Sequence, residues 1–138
     1  MAADRAFVDT NVLVYAHDVS EPEKQQRAAA LLASRVNDLV ISAQVLGEFF
    51  NAVTRRLPTP LSTADAAAAV AGLSLLPVVP VDAQLVRAGI EIHEAHQVSY
   101  WDGLILAAAR SARCGTLLTE DLHTGATLAG VTVENPFV

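Results

Sequence analysis

The sequence predicts an α/β domain in which helices cover a parallel sheet. Short apolar runs alternate along the whole chain with segments of helical periodicity, which is the pattern of successive strand–helix units. Hydrophobic residues make up 52% of the 138 residues and charged residues only 17%, which is typical of a globular chain with a sizeable core. No repeat or linker divides the sequence, so we expect a single domain spanning residues 1–138.

The first part of the chain predicts a strand and two helices. An apolar run at about residues 5–8 indicates the first strand, and a short helix is expected from Val12 to about His17. Ser20 is the expected cap of the next helix, because Pro22 and its acidic neighbours suit a first helical turn.

The middle of the chain predicts two more strands separated by two helices. The run from Leu39 to Ile41 indicates the second strand, and Ser42 is the expected cap of the helix behind it. That helix repeats apolar residues at helical spacing, namely Val45, Leu46, Phe49, Phe50 and Val53. A further helix is expected from about Thr63 to Leu73. The third strand, Pro77 to Val81, contains prolines, which favour the margin of the sheet.

The last part of the chain predicts two helices and two strands. Asp82 is the expected cap of one helix. The other is expected from Trp101 to Arg113, with Gly115 past its end as the C-terminal cap. The remaining strands are Thr116 to Thr119 and a weaker one from Val131 to Val133.

The composition limits the classes of function. A net charge of −6 argues against a generally basic nucleic-acid-binding protein. The single cysteine, Cys114, excludes an internal disulfide and fits a reducing cytoplasm. The most apolar segment, residues 64–81, contains Asp65 and is interrupted by Gly72 and two prolines, so no membrane span is predicted.

Asp9 is a candidate site residue because of its place after the first strand. It directly follows the apolar run and precedes Thr10 and Asn11. Parallel α/β sheets bind ligands at the carboxyl ends of their strands, which is where this carboxylate is expected. All three residue types also cap helices well, so a purely structural role is the alternative.

Three further acids lie at comparable positions. Glu48 lies in the helix after the second strand, Asp102 in the first turn of a helix, and Asp121 just after the fourth strand. In a parallel sheet these positions face one edge, so the acids would meet through the fold. Simpler interpretations exist, since Asp102 has the capping-box spacing from Ser99. Likewise, Asp121 can cap a turn and Glu48 can be a solvated helix residue.

Four carboxylates in one place require compensation of their charge. Carboxylates about 4–5 Å apart repel by several kcal/mol at an effective dielectric constant of about 20. Such a cluster either retains protons or binds a cation. Oxygen ligands without cysteine or well-placed histidine favour Mg²⁺ or Mn²⁺. An ion of this kind activates water and stabilises charge on phosphorus oxygens, so the pattern predicts phosphodiester hydrolysis.

Basic residues near these acids are candidates for contacts to a phosphate backbone. Eight of the nine basic residues are arginine, which forms forked contacts to phosphate. The candidates are Arg55, Arg56, Arg110 and Arg113. The alternative is that these arginines are solvated or support the fold.

The segments that carry the four acids resemble a known family. They are residues 7–11 (FVDTN), 42–49 (SAQVLGEF), 99–105 (SYWDGLI) and 118–122 (LTEDL). Together they closely resemble the PIN-domain family and, more narrowly, the VapC-type toxins of bacterial VapBC toxin–antitoxin pairs. The likeness extends over essentially the full length of the chain.

The resemblance implies a three-layer α/β/α fold with a five-stranded parallel sheet, in a protein that forms a homodimer. It also implies an endoribonuclease that depends on Mg²⁺ or Mn²⁺ and cuts structured RNA, commonly transfer or ribosomal RNA. A cognate VapB-type antitoxin would wrap the toxin and block its site. The four candidate arginines would then contact either the RNA or this antitoxin.

The resemblance also implies roles for individual residues. The acids that would bind the metal and carry out catalysis are Asp9, Glu48, Asp102 and Asp121. The residues that would support them by hydrogen bonding are Thr10, Asn11 and Thr119. Glu120 is next to them in the chain, and no supporting role is implied for it. An alternative from another class is a PIN-like binding module that acts through dimerisation or antitoxin contact without turnover. Metal-dependent RNA cleavage distinguishes the two.

Overall fold

The computed structural model describes residues 5–138. Residues 1–4, which the single-domain prediction includes, lie outside the described residues. The strands are β1 (Ala6–Val8), β2 (Leu39–Ser42), β3 (Val78–Val79), β4 (Thr116–Leu118), β5 (Thr127–Leu128) and β6 (Val131–Glu134). The helices are α1 (Thr10–Tyr15), α2 (Pro22–Ser34), α3 (Ala43–Arg55), α4 (Thr63–Leu73), α5 (Ala83–His96) and α6 (Tyr100–Ser111).

The sheet has the strand order β3-β2-β1-β4-β6-β5, and its first five strands run parallel. The predicted parallel α/β architecture is therefore confirmed, including the place of β3 at a margin. The chain leaves β1 toward β2 on one side, while β4 pairs with β1 on the other side. The strand order thus reverses next to β1, which is where open α/β sheets bind ligands.

A sixth strand, β5, adds an antiparallel edge that the sequence analysis did not predict. It pairs with β6 through a tight turn at Ala129 and Gly130, whose φ angles are 53° and 80°. Two successive positive φ angles are typical of the hairpin turns that match strand twist. Alanine rarely adopts such a conformation, so the sequence lacks the usual turn signal. A strand of two residues is also too short to show alternation.

The central strands are buried along their whole length. Every residue of β1 and β2 is buried, as expected for parallel strands that have helices on both faces. Helix α6 packs against β2, β4 and β6 of the sheet, and α5 packs against α6. Its residues from Gly103 to Ala109 are all buried, so α6 is a core helix and not an amphipathic surface helix. None of the helices described within residues 5–138 is long and apolar enough to cross a membrane.

Two of the predicted helix caps are confirmed and a third is wrong. Ser42 Oγ accepts a hydrogen bond from the backbone N–H of Val45, and Asp82 Oδ1 accepts one from Leu85. Ser20, however, does not cap α2, whose N-cap position is occupied by Glu21 without a side-chain hydrogen bond. Ser20 instead donates its backbone N–H to Asp18 Oδ1 at 3.0 Å. A local turn around Asp18 therefore competes successfully for the serine.

The end of α6 differs from the prediction as well. The helix ends at Ser111, two residues before the predicted Arg113, and Arg113 adopts the left-handed conformation with φ of 59°. Its N–H donates to Arg110 O, and the N–H of Cys114 donates to Ala109 O. These two bonds form a Schellman motif with arginine at the position that glycine usually occupies. Gly115 is therefore not the cap but leads into β4.

Two glycines bring α5 and α6 into close contact. A Cβ at Gly103 would lie 2.5 Å from the carbonyl oxygen of Gly89, and one at Gly89 would lie 3.1 Å from Leu104 Cα. Real Cβ atoms essentially never come as close as 2.5 Å to a backbone atom, and a distance of 3.1 Å is tighter than most real contacts. The contact therefore requires glycine, and it fixes the start of α6, where Asp102 lies.

We expect the variant Gly103→Ala to lose about 1–3 kcal/mol of unfolding free energy, because the methyl group forces the two helices apart. Denaturant unfolding followed by circular dichroism measures this loss. Gly72→Ala is the matched control, since Gly72 lies in α4 with nothing within 4 Å of an added Cβ. This control is expected to be unchanged or slightly more stable. Equal unfolding midpoints for both variants would contradict the proposed close packing.

Candidate active site

Four acids from separate segments line one pocket at the carboxyl end of the sheet. Its volume is about 420 Å³, and its walls include the four predicted acids, Asp9 after β1, Glu48 in α3, Asp102 in α6 and Asp121 after β4. A fifth acid, Asp18 after α1, lines the same pocket and was not singled out from the sequence. The fold thus brings together carboxylates that are far apart in the chain. The pocket lies at the reversal of strand order described above.

Asp9 is both a helix cap and a wall of the pocket. Its Oδ1 accepts the backbone N–H of Thr10 at 2.7 Å, which caps α1. Its own N–H donates to Leu118 O at 3.0 Å, so its backbone continues the pairing of β1 with β4. The side chain is 7% exposed, and its Oδ2 accepts the hydroxyl of Thr119 at 2.8 Å. Asp9 therefore caps α1 as the structural interpretation expects, and it also lines the pocket.

Asn11 and Thr119 link Asp9 to Asp121. The Asn11 amide nitrogen lies 3.0 Å from Asp121 Oδ2, 3.1 Å from Thr119 Oγ1 and 3.4 Å from Asp9 Oδ2. Thr119 is fully buried, and its Oγ1 also accepts the backbone N–H of Asp121 at 3.1 Å. Neutral donors thus hold two carboxylates next to each other without a cationic side chain.

Glu48 is held by neutral donors in the same way. Its Oε1 accepts the hydroxyl of Thr10 at 2.8 Å, and its Oε2 accepts the amide of Gln44 at 3.3 Å. The same amide nitrogen lies 3.5 Å from the carbonyl oxygen of Trp101, which links α3 to α6. The other atom of this amide, Gln44 Oε1, is buried and has no hydrogen-bond donor within residues 5–138.

The electrostatics of the pocket reflect burial and mutual repulsion. Burial raises the pKa of Asp9 to about 6, and the negative charges of Asp121 and Glu48 add to the rise. The hydrogen bonds from Thr119 and from the backbone of Thr10 oppose it. Burial likewise raises the pKa of Asp102, with further contributions from Asp121 and Glu48 against the hydrogen bond from Ser99. The pKa values of Asp9 and Asp102 therefore both respond to the negative charges of Asp121 and Glu48.

The pocket contains several oxygen atoms that can bind a metal ion, but they are not arranged as a preformed metal site. Within residues 5–138 no three side chains of histidine, cysteine, aspartate or glutamate are already arranged around one point as metal ligands. Instead the carboxylate oxygens of Asp9, Glu48 and Asp121 accept hydrogen bonds from Thr10, Asn11, Thr119 and Gln44. Side chains would have to rotate for three of the acids to surround one ion.

Of the four candidate arginines, Arg56 alone lines the acidic pocket. Arg55 is turned toward a shallow groove beside Phe50, and Arg110 lines a separate groove with Asp82. Arg113 is exposed in the turn after α6. The helical spacing explains the place of Arg56. Gln44, Glu48 and Ala52 of α3 and the C-cap residue Arg56 follow one another at intervals of four residues along the pocket.

The structure also shows polar contacts near the site that sequence reasoning missed. Glu120 does not line the pocket but accepts hydrogen bonds from Lys24 Nζ at 3.0 Å and from the Tyr15 hydroxyl at 2.7 Å. Lys24 also lies 4.6 Å from the centre of the Tyr15 ring. This network fastens the segment after β4, which carries Asp121, to α1 and α2. No spacing in the sequence signals it, since Lys24 and Glu120 are 96 positions apart.

We expect Thr119→Val to be less stable than the parent protein, by about 1–3 kcal/mol at neutral pH, because it removes a hydroxyl donor from a buried carboxylate at nearly constant volume. Thr119→Ser is the matched control, since it keeps the hydroxyl and loses only a methyl group, at a cost of about 1 kcal/mol. Thermal unfolding of the three proteins measures the difference. A serine variant as unstable as the valine variant would contradict the role assigned to the hydroxyl.

Comparison with known proteins decides the family. The model of the PIN domain family matches residues 6–124. The chain belongs to the PIN domain family. This PIN domain accordingly has the α/β fold that the sequence resemblance implied, with β5 as an addition at the edge of the sheet. No curated protein matches the sequence significantly.

Solved structures resemble this PIN domain over most of its length. The chain is similar to VapC20 of Mycobacterium tuberculosis, described as a toxin that cleaves the sarcin–ricin loop, with 24% identity, a TM-score of 0.68, and coverage of 84% of this chain and 89% of that one. A chain of the FitAB complex solved with a DNA fragment has 24% identity, a TM-score of 0.72 and 96% coverage of both chains. A chain of VapBC2 from Rickettsia felis, solved with a promoter fragment, has 21% identity, a TM-score of 0.65, and coverage of 94% and 97%.

Proposed function

We propose that this PIN domain is a metal-dependent endoribonuclease toxin of the VapC type. The observation that carries the proposal is the convergence of four acids from four separate segments on one pocket, Asp9, Glu48, Asp102 and Asp121. A structural role for each acid explains its own hydrogen bonds but not their common location. Accumulation of negative charge around the buried Asp9 is costly for the fold, and it is typical of sites that bind a cation.

The donor set fits Mg²⁺ or Mn²⁺. Among residues 5–138, the pocket offers carboxylate oxygens from Asp9, Asp18, Glu48, Asp102 and Asp121, and no cysteine or histidine lines it. When bound, such an ion would activate water and stabilise the negative charge on a phosphodiester.

The chain's own residues have three roles in this proposal. The four acids bind the cation, while Thr10, Asn11 and Thr119 orient the carboxylates through the hydrogen bonds described above. Arg56 is the candidate arginine that lines the pocket, and its guanidinium group would contact a phosphate of the RNA. The other three candidate arginines, Arg55, Arg110 and Arg113, lie outside the pocket, and we propose that they contact an antitoxin.

The structural relatives support the biological setting. VapC20 is described as an RNA-cleaving toxin, and other relatives were solved as toxin–antitoxin complexes. We therefore propose RNA as the substrate, with a transfer or ribosomal RNA as the class, and a VapB-type antitoxin as the partner. A homodimer in the cytoplasm completes the proposal, and sedimentation of the purified protein measures the oligomeric state.

The competing function is a binding module without turnover. Purified protein freed of antitoxin and incubated with total RNA decides between the two. Fragments that form with Mg²⁺ or Mn²⁺ and disappear with a chelator support the enzyme, whereas intact RNA at every metal concentration supports the binding module. In cells, we expect expression without a partner to arrest growth, and Asp102→Asn to relieve the arrest. Equal arrest by both proteins would reject the proposed mechanism.

A further inference from the structure

Trp101 is an exposed aromatic side chain at the rim of the acidic pocket. It is the only tryptophan in the chain. Its side chain is 60% exposed, while the other six aromatic side chains are buried or half-buried. Single exposed apolar residues are common on protein surfaces, so exposure alone has no functional meaning. The location of Trp101 indicates a function, because Trp101 immediately precedes Asp102 and lines the same pocket as the four acids.

Trp101 has one contact through its ring and one through its backbone. Its ring packs edge-on against Tyr100, with ring centres 4.9 Å apart and an interplanar angle of 68°. Its carbonyl oxygen lies 3.5 Å from the Gln44 amide nitrogen, and that nitrogen also donates to Glu48. The tryptophan is therefore connected to one of the site acids through a single side chain. An exposed aromatic ring that already packs against a neighbouring ring loses less conformational freedom when a planar group stacks on it.

Helix α3 defines a direction along the pocket. Gln44, Glu48, Ala52 and Arg56 line it at intervals of four residues, which places Gln44 and Arg56 about 18 Å apart along the helix axis. Trp101 lies at the Gln44 end of this row. A strand of RNA that follows the row meets an aromatic ring at one end, Glu48 between the ends and an arginine at the other end.

We propose that Trp101 is a stacking platform for an unpaired nucleobase of the RNA, adjacent to the phosphate that is cut. This inference rests on the proposed ribonuclease function and adds a substrate subsite to it. Bases of single-stranded RNA stack on exposed aromatic rings, and each stack contributes about 1–3 kcal/mol to binding. The ring selects for an extruded base and not for duplex RNA, because a paired base has no free face. Gln44 positions the platform relative to Glu48.

The single tryptophan is also the probe for a direct test. The protein is titrated with the hexanucleotides rA6 and rU6 and with an abasic ribose-phosphate hexamer, in Ca²⁺ and with the RNA checked for integrity on a gel. We expect quenching of Trp101 fluorescence by the base-containing RNAs but not by the abasic one. Absence of quenching by rA6 and rU6 up to millimolar concentration would overturn the stacking platform.

Variants separate stacking from a structural role. We expect Trp101→Leu to weaken RNA binding, measured by anisotropy of labelled RNA, by roughly 5- to 150-fold, and Trp101→Phe to retain most of it. Binding of the abasic hexamer is expected to be equal in all three proteins. Leu75→Ala, at a side chain that is 89% exposed away from the pocket, is the control and leaves binding unchanged. Unfolding midpoints verify that the substitutions at Trp101 leave the fold intact.

The outcomes distinguish this inference from the proposed function. If the parent protein cleaves RNA and Trp101→Leu cleaves it with the same KM and kcat, the platform is rejected and the nuclease remains. If the parent protein cleaves no RNA with any divalent metal, the nuclease itself is rejected. If Trp101→Leu weakens only the affinity for the antitoxin, the ring is a protein contact and the assignment to RNA is overturned.

Discussion

Replacement of Asp9 by asparagine is expected to abolish metal-dependent RNA cleavage, with a loss of about 100-fold or more in kcat/KM. Even residues outside the first layer of metal ligands commonly contribute 10- to 100-fold to metal affinity or activity. Asp9 lies at the centre of the carboxylate cluster, where Thr10, Asn11 and Thr119 all donate to it. The substitution removes its charge while asparagine remains a good helix cap.

The matched control for this substitution is Asp82→Asn. Asp82 is also an aspartate at the N-cap of a helix, and its Oδ1 accepts the backbone N–H of Leu85 at 2.8 Å. It lies in the groove beside β3 and does not line the acidic pocket. We expect Asp82→Asn to cleave RNA at the rate of the parent protein. Equal activity of the Asp9 and Asp82 variants would contradict a catalytic role for Asp9.

Metal-free protein is expected to lose stability as the pH rises from about 4 to about 7. Burial raises the pKa of Asp9 from 3.8 to about 6, so the folded protein retains this proton at pH values where the unfolded chain has released it. The folded state therefore binds more protons in this range, and its stability falls with increasing pH. Each pKa unit corresponds to about 1.4 kcal/mol, which gives a loss of about 2 kcal/mol between pH 4.5 and 7.

Comparison with Asp9→Asn isolates this contribution, since asparagine does not titrate. Denaturant unfolding in the presence of a chelator is measured for both proteins at pH 4.5 and pH 7. We expect the free energy of unfolding of the parent protein to fall relative to that of the variant by about 2 kcal/mol over this range. A difference between the two proteins that is independent of pH would show that Asp9 ionises freely in the folded state.

Addition of a divalent cation at pH 7 is expected to restore the stability that Asp9 ionisation removes. Mg²⁺ or Mn²⁺ at 100 times its dissociation constant stabilises a protein that binds one ion by about 2.7 kcal/mol. At pH 4.5 protons compete with the metal for the carboxylates, so the increase in Tm is expected to be much smaller. Equal stabilisation at both pH values would indicate binding elsewhere on the surface.

Local sequence signals predicted the parts of the fold and site that depend on neighbours in the chain. The buried run before Asp9, the cap at Ser42 and the cap at Asp82 all depend on contacts within three residues, so residue type and spacing were sufficient. The common edge of the four acids also followed, because parallel strands end on the same side of a sheet.

The unpredicted features depend on contacts between distant segments or on unusual local conformations. The link from Gln44 to Trp101 joins residues 57 positions apart, and no periodicity relates α3 to α6 at that point. The positive φ angles of Arg113 and Ala129 are unusual for these residue types, so neither the end of α6 nor the β5–β6 turn had a sequence signal.

Binding of Mn²⁺ tests the central claim most directly, because the claim is that carboxylates from four segments act as one cation site. Isothermal titration of metal-free protein with Mn²⁺ is compared with Asp9→Asn, Glu48→Gln, Asp102→Asn, Asp121→Asn and the control Asp82→Asn. We expect tight binding by the parent protein and the control, and a loss of affinity of about tenfold or more in each of the four pocket variants. Undiminished Mn²⁺ binding in these variants would contradict the shared site and, with it, the proposed nuclease.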